Sequence, residues 1–162
     1  MSSLIERALA LWGRPSPPDV ALEAFRAVYA DPVLVNGAPT ALVVLVERAQ
    51  MMQAAFEGLR HTVHEQVEAP GRLAFAFRLS GRLVGPLATP LGELAPTGEQ
   101  VEVAGMDIFV VEEGRVTAVW ALADHLTLLM DVGAVTPLPP SSSPAGAGPG
   151  RPAAPSVPHR GP

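Results

Sequence analysis

The spacing of apolar residues changes once along the chain, from a helical period to the alternation that is typical of β-strands. Near the N-terminus, apolar positions recur every three to four residues in stretches that predict helices at 4–12, 18–28 and 41–57, with a short extended run at 32–36. Further along, a period of two predicts strands at 61–68, 72–80, 82–87, 100–111 and 116–124, followed by a helical turn at 126–130. Helices segregated from antiparallel strands predict an α+β domain.

Single residues mark several of the predicted boundaries. Ser2 or Ser3 can cap the first helix, and Thr40 is a good N-cap for the third, because a side-chain oxygen there accepts a free backbone N–H. Gly58 is expected to end the third helix. The Pro- and Gly-rich segment at 88–98 is expected to be a loop before the last two strands.

The last two strands carry the most specific geometric prediction. A tight turn at 113–114 joins 100–111 to 116–124, and regular pairing from this turn places Asp107 opposite Trp120. Because side chains alternate along a strand, one face is then shared by Val103, Asp107, Phe109, Trp120, Leu122 and Asp124. Desolvating a charge is costly, so two carboxylates on an apolar face need a reason. They are expected to lie either at the rim of that face or in a pocket where they take part in catalysis.

Composition narrows the classes of function. The net charge of −5 argues against nucleic acid as a partner. The absence of cysteine excludes disulfides, thiolate catalysis and sulfur-ligated metal sites. No signal peptide is recognisable, and no window approaches the roughly 20 apolar residues of a membrane span. We therefore expect a cytoplasmic protein with no membrane partner.

The C-terminal segment differs in composition from the rest of the chain. Nine of the 18 prolines follow Thr136, among Ala, Ser and Gly with almost no large apolar residues. Such a segment cannot bury enough apolar surface to offset the entropy of ordering. The sequence predicts one domain at 2–135 and a disordered tail at 136–162.

The chain resembles proteins of the SnoaL-like polyketide cyclase family, within the nuclear transport factor 2-like superfamily, in the order of its predicted elements and in three short motifs. The motifs are Pro96-Thr-Gly98 before a strand, Glu113-Gly-Arg115-Val between strands and Trp120-x3-Asp124 at the end of the sheet. Leu128-Leu-Met-Asp-Val-Gly133 and Leu59-Arg-His61 are also similar to family segments. The similarity covers roughly residues 4–135.

The resemblance implies a cone-shaped α+β barrel, in which a strongly bent antiparallel or mixed sheet wraps a pocket closed by about three N-terminal helices. It implies an acid/base role for Asp124, and polar assistance near Asp107 and Asn36. One departure is that the family often has Gly-Thr-His where this chain has Ser80-Gly81-Arg82. Catalysis that depends on that histidine is therefore not expected here.

The candidate catalytic residues are Asp107 and Asp124, and each has a structural alternative. Asp124 stands before a helix and could be its N-cap. Asp107 could instead be a partner for Trp120 or Arg78, although a buried carboxylate would have a raised pKa that suits proton transfer. The candidate substrate-binding residues are Tyr29, Asn36, His61, Arg78, Phe109, Trp120 and Leu122.

The histidines are weaker candidates. Because side chains alternate along a strand, His61 lies on the same face as Val63 and is expected to point inward, whereas His64 lies on the opposite face. His125 points opposite to Asp124 and is expected to be peripheral. No pair of His and carboxylate shows metal-ligand spacing, so we expect no metal.

These residues and the resemblance together favour a cofactor-independent cyclase that closes a ring in a polyketide-type substrate within an apolar pocket. Aldol, oxa-Michael and [4+2] closures all stay open. One alternative is an epoxide hydrolase that uses Asp107, Arg78 and Asp124 as a relay. Another is a non-catalytic module that binds a small ligand and dimerises. The expected partners are a hydrophobic small molecule and a second copy of the chain, because both faces of the strands are apolar.

Overall fold

The fold is given by a computed structural model, which describes residues 3–139. Within this range the helices are α1 (Leu4–Gly13), α2 (Pro18–Arg26), α3 (Leu42–Ala55) and α4 (His125–Asp131). The strands are β1 (Tyr29–Val35), β2 (Ala38–Thr40), β3 (Phe56–Ala69), β4 (Arg72–Leu83), β5 (Leu87–Thr89), β6 (Gly92–Leu94), β7 (Gln100–Glu112) and β8 (Arg115–Ala123). Most of the predicted tail, residues 140–162, lies outside the described range. The helices of residues 3–139 are all too short or too polar to cross a membrane.

The five long strands and the short β2 build one mixed sheet in the order β2-β1-β8-β7-β4-β3. β1 runs parallel to β8, while every other neighbouring pair is antiparallel. β5 and β6 form a separate small hairpin inside the segment that was predicted as a loop, so that part of the prediction is wrong. The α+β fold class with a mixed sheet and N-terminal helices is confirmed.

One face of the sheet packs against the helices and forms the core. At one end, helices α1 to α3 cover the aromatic residues of the central strands, among them Phe75 and Phe109, whose rings meet edge to face at 5.0 Å. At the other end, Leu128 of α4 packs with Leu79 and Val103. Between these two clusters the inner face of the sheet is not completely filled, and a cavity remains there.

The ends of α1 and α3 show how local chemistry sets their boundaries. Ser3 caps α1 in a capping box with Glu6, as the sequence predicted for that serine. The prediction for α3 is wrong, because Thr40 is a buried residue of β2 rather than the cap. The backbone N–H of Leu42 instead donates to Oδ1 of Asp31 at 3.2 Å. The helix also ends before Gly58, and β3 follows it without a loop.

A β-bulge at Thr117 changes the pairing between β7 and β8. Val111 pairs with Val116, as predicted. Val110, however, pairs with Ala118, so that Thr117 is an extra residue in β8. Its hydroxyl donates a hydrogen bond to the carbonyl oxygen of Val110 at 3.4 Å. One extra residue reverses the face of every later side chain in the strand.

The predicted face shared by Asp107, Trp120 and Asp124 is therefore wrong. Asp107 pairs with Ala121, not with Trp120. Trp120 pairs with Ile108 on the outer face of the sheet, where its side chain is 53% exposed. The inner face of β8 carries small residues beside Asp107, and these leave room for a cavity.

Candidate active site

A cavity of about 300 Å³ lies between the inner face of the sheet and the helices. Leu, Val, Phe and Met side chains form most of its wall. Its polar side chains are Trp12, Tyr29, His61, Asp107 and His125. A mostly apolar cavity with a few convergent polar groups is the usual form of a small-molecule site. Among residues 3–139, no three His, Asp or Glu side chains converge as a metal site requires.

Asp107 is the ionisable carboxyl of this cavity. It projects from the middle of β7, one inward position before the fully buried Phe109. Burial raises the pKa of its carboxyl to about 7. Near neutral pH the group is therefore divided between its acid and its carboxylate form, so it can both accept and return a proton.

Tyr29 brings a hydroxyl into the same cavity from the first position of β1. The indole N–H of Trp12 donates a hydrogen bond to this hydroxyl oxygen at 3.3 Å. Burial raises the pKa of Tyr29, and the nearby Asp107 carboxylate raises it further. Tyr29 thus keeps its proton throughout the physiological range, and this proton is available for donation.

His61 lies on the inner face of β3, paired with Leu79, as its parity with Val63 indicated. Burial lowers the pKa of its imidazole, so the ring is neutral near pH 7. A Cβ added at Gly13 would lie 3.4 Å from His61 Nδ1, which shows how closely the end of α1 covers the ring. The cavity therefore carries no fixed positive charge from His61 that would lower the pKa of Asp107.

Asp124 lies outside the cavity and is the N-cap of α4. Its Oδ1 accepts the backbone N–H of Thr127 at 3.0 Å, and its Oδ2 accepts the Thr127 hydroxyl at 2.6 Å. These hydrogen bonds lower the pKa of the exposed carboxyl. Asp124 therefore stays ionised, and the geometry supports the structural alternative that the sequence left open.

Arg78 and Asn36 are also absent from the cavity wall. Arg78 points to the outer face, where its Nη1 lies 3.0 Å from Oε2 of Glu102. The Asn36 side chain pairs with the backbone of Ala121: its Nδ2 donates to the carbonyl oxygen at 3.1 Å, and its Oδ1 accepts the N–H at 2.8 Å. Because Ala121 pairs with Asp107, Asn36 supports the strand beside the site without touching the cavity.

Phe109 and Leu122 occupy the wall and the rim, respectively. Phe109 is 2% exposed and forms part of the inner wall. Leu122 is 73% exposed and borders both the cavity and an open groove of about 780 Å³ on the outer side, which Met106 and Leu126 also line. Leu122 and the neighbouring His125 therefore mark the side on which the cavity approaches the outer groove.

Trp12 and His125 line the cavity, although the sequence did not mark them as candidate site residues. Trp12 was assigned only to the apolar stripe of its helix, and its indole N–H gave no separate signal. His125 was expected to be peripheral because its direction was derived from regular pairing along β8. The bulge at Thr117 invalidates that derivation, and His125 borders the cavity.

Position 105 has no room for a side chain, because the ring of Phe77 in the neighbouring strand lies directly over it. A Cβ at Gly105 would be 2.5 Å from Cζ of Phe77.

We expect Gly105→Ala to lower the free energy of unfolding by roughly 1–3 kcal/mol, because the ring has to move. Urea unfolding measures this. In the double variant with Phe77→Leu the added cost of Gly105→Ala should largely vanish; equal costs in both backgrounds would contradict this explanation.

Comparison with known proteins finds one matching family model and several similar solved structures. The family model of SnoaL-like polyketide cyclase matches residues 4–132. No curated protein matches the chain by sequence. Similar solved structures include TsrD from Streptomyces laurentii, at 22% identity and a TM-score of 0.67, covering 82% of this chain and 93% of that one. A SnoaL-like polyketide cyclase from Agrobacterium tumefaciens has 20% identity, a TM-score of 0.63 and coverages of 82% and 100%.

A third similar structure has a different description. AclR from Streptomyces galilaeus, a proposed hydroxylase, has 18% identity and a TM-score of 0.63, with coverages of 85% and 87%. At these identities the solved structures establish the fold alone, and the fold accommodates more than one chemistry. Any assignment of activity to this chain therefore depends on its own side chains.

Proposed function

Because the chain belongs to the SnoaL-like polyketide cyclase family, we propose that it closes a ring in a polyketide-type substrate, with Asp107 as the proton-transfer group and without a cofactor. One observation carries this proposal. The Asp107 carboxyl stands in an apolar cavity, and burial raises its pKa to about 7. Such a group is matched to proton transfer at neutral pH.

An aldol closure illustrates what the cavity can do. The Asp107 carboxylate takes a proton from a carbon that lies between two carbonyl groups, and the resulting enolate attacks a distant carbonyl of the same chain. A new C–C bond forms, and the alkoxide recovers the proton from Asp107. The product is an isomer of the substrate, so no oxidant, reductant or second substrate is consumed. The apolar wall holds the chain folded, which supplies a large part of the rate.

The alternative closures differ in what they need from the cavity. An oxa-Michael closure also needs a base, and Asp107 can serve it equally. A [4+2] closure needs mainly shape plus one hydrogen-bond donor, which the neutral Tyr29 hydroxyl could also supply, so it does not require a carboxyl whose pKa is near 7. The position of Asp107 therefore favours the two proton-transfer closures.

The epoxide hydrolase alternative is not supported by the geometry. That reaction was considered because a carboxylate, an arginine and a second carboxylate could activate water together. Arg78 pairs with Glu102 on the outer face, and Asp124 caps α4. Only Asp107 of the three lies in the cavity.

The proposed function is tested with a linear poly-β-carbonyl thioester, the class of substrate that such a cavity would fold. We expect the protein to convert it to a cyclic product of the same mass, or of that mass less one water, which liquid chromatography with mass spectrometry detects. Spontaneous cyclisation without protein is the control for rate and ring pattern. Equal rates and equal ring patterns with and without the protein would contradict the proposal.

The outer face of the sheet supports a second part of the proposal, a homodimer. Its exposed apolar side chains lie on adjacent strands and include Leu34, Met106, Ile108, Trp120 and Leu122. Ile108 pairs directly with Trp120, and Met106 pairs with Leu122, so the patch is continuous. An exposed apolar patch of this kind marks an interface, and a twofold symmetric pair is the commonest solution.

Light scattering at tens of micromolar protein tests the dimer. We expect the unsubstituted chain to have twice the monomer mass and Trp120→Glu to have the monomer mass, because a buried unpaired charge opposes association. Val20→Glu is the matched control, since Val20 is similarly exposed but lies on α2. A monomeric unsubstituted chain, or dissociation by both substitutions alike, would contradict this interface.

A further inference from the structure

The ring of Tyr29 is held between aromatic neighbours beside the cavity. Tyr29 is 2% exposed, and its ring stacks on Phe25 with centroids 5.6 Å apart. On the other side it meets the edge of Phe109 at 6.3 Å. The ring therefore has a fixed position, and only the direction of the hydroxyl proton is left to be decided.

The hydrogen bond from the indole of Trp12 fixes the direction of the Tyr29 hydroxyl proton. The indole N–H is a donor only, so it can contact the Tyr29 oxygen solely at a lone pair. Among the side-chain hydrogen bonds of residues 3–139, the Tyr29 hydroxyl receives the one from Trp12 and donates none. With one lone pair occupied by the indole, the O–H bond is turned away from Trp12, toward the cavity that holds Asp107.

Trp12 is itself held by a contact that α3 makes to the end of α1. The side-chain amide of Gln53 donates to the carbonyl oxygens of Leu11 at 3.0 Å and of Trp12 at 3.3 Å. The ring of Trp12 also meets Phe25 at 6.1 Å in an edge arrangement. The last turn of α1 is thereby fixed over the cavity, with the indole N–H in one orientation.

We propose that Trp12 is a positioning residue, which aims the Tyr29 hydroxyl at a carbonyl oxygen of the bound ligand. When Asp107 removes a neighbouring proton, this oxygen becomes an enolate, and the hydrogen bond from Tyr29 strengthens as negative charge develops. Tyr29 keeps its proton throughout. The hydrogen bond received from Trp12 polarises the phenol and makes it a stronger donor. This inference rests on the proposed function, because Asp107 supplies the charge that Tyr29 stabilises.

A binding experiment separates this inference from the proposed base. The probe is 4-nitrophenolate, whose oxygen resembles an enolate, and all variants carry Asp107→Asn so that no carboxylate competes. Nitrobenzene, which has the same ring without the charged oxygen, is the matched control ligand. Absorbance and calorimetric titration give the dissociation constants. Because the background has no base, failure of Asp107 as the catalyst would leave this measurement intact.

We expect Tyr29→Phe to weaken phenolate binding about tenfold, since a hydrogen bond to a charged oxygen is lost. Trp12→Phe, which keeps the aromatic ring against Phe25, should weaken it about threefold. The same Trp12→Phe change should have no effect when Tyr29 is already Phe, and nitrobenzene should bind all variants alike. If Trp12→Phe leaves phenolate binding unchanged, or weakens it equally in the two backgrounds, Trp12 does not act through Tyr29 and the inference fails.

Discussion

Asp107→Asn is expected to lower base-catalysed turnover by about 10²-fold or more, the usual contribution of a general base. The substitution keeps the shape of the side chain but removes its ability to accept a proton. Because the natural substrate is undefined, the reaction to measure is the opening of 5-nitrobenzisoxazole. In this reaction a base removes the C–H proton and the N–O bond breaks to give a coloured cyanophenolate. A carboxylate in an apolar cavity is well suited to it, since water stabilises such a base less there.

Asp124→Asn is the matched control for this loss. Both residues are aspartates, but Asp124 is exposed and accepts a hydrogen bond from the backbone N–H of Thr127 as the N-cap of α4. We expect Asp124→Asn to change turnover less than about threefold and to change the free energy of unfolding by less than about 1 kcal/mol, because asparagine caps a helix about as well as aspartate. A large loss of turnover in Asp124→Asn with none in Asp107→Asn would reverse the assignment.

The rate of the same reaction should also depend on pH. The base must be ionised to act, so turnover should rise with a midpoint near the pKa of Asp107, about 7. Tyr29 and His61 do not produce this midpoint, because burial raises the pKa of the first and lowers that of the second. A midpoint near 4, where an exposed aspartate titrates, would indicate that the reaction occurs outside the cavity.

Asp107→Asn is also expected to stabilise the protein at alkaline pH. The pKa of Asp107 is about 7 in the folded chain and 3.8 as its ordinary value. Between these values the folded state binds more protons than the unfolded state, so stability falls as the pH rises. The loss is complete about one pH unit above the folded pKa and amounts to on the order of 4 kcal/mol. Replacing the carboxyl by a neutral amide removes this penalty.

Thermal unfolding at two pH values measures the effect. At pH 9 the Asn variant should melt on the order of 10 °C above the unsubstituted chain, which is the shift that a few kcal/mol produces in a domain of this size. At pH 4 the two should melt within a few degrees of each other, because Asp107 is then protonated in the folded state. A variant that is less stable at both pH values would show that the carboxylate is paired in the folded protein.

The elements themselves could be predicted from the sequence because their signals are local. Helical periodicity located α1 to α3, and alternation located the long strands, with errors at their ends. The separate strand predicted at 82–87 is wrong, because β4 continues to Leu83 and β5 begins only at Leu87. The small β5–β6 hairpin was missed since three-residue strands leave no recognisable period. The cap of α3 was missed because the acceptor, Asp31, is eleven residues away from Leu42.

The site was predicted in part, and the errors on β8 have one cause. Asp107, Phe109 and His61 were placed by the alternation of their strands, and Tyr29 was a candidate from the family resemblance. All four line the cavity. The residues of β8 were placed through the turn, and the bulge at Thr117 reversed their faces. A bulge of this kind has no requirement for glycine or proline, so the sequence carried no signal for it.

Direct titration of the Asp107 carboxyl carbon tests the central claim, that this group is a desolvated proton-transfer carboxyl. Carbon-13 NMR of protein labelled at aspartate carboxyls, with Asp107→Asn to identify the resonance, gives the pKa without any substrate. The arrangement of the cavity predicts a midpoint of about 7. A midpoint near 4 would mean that Asp107 is solvated or paired, and it would contradict the proposed role of this residue.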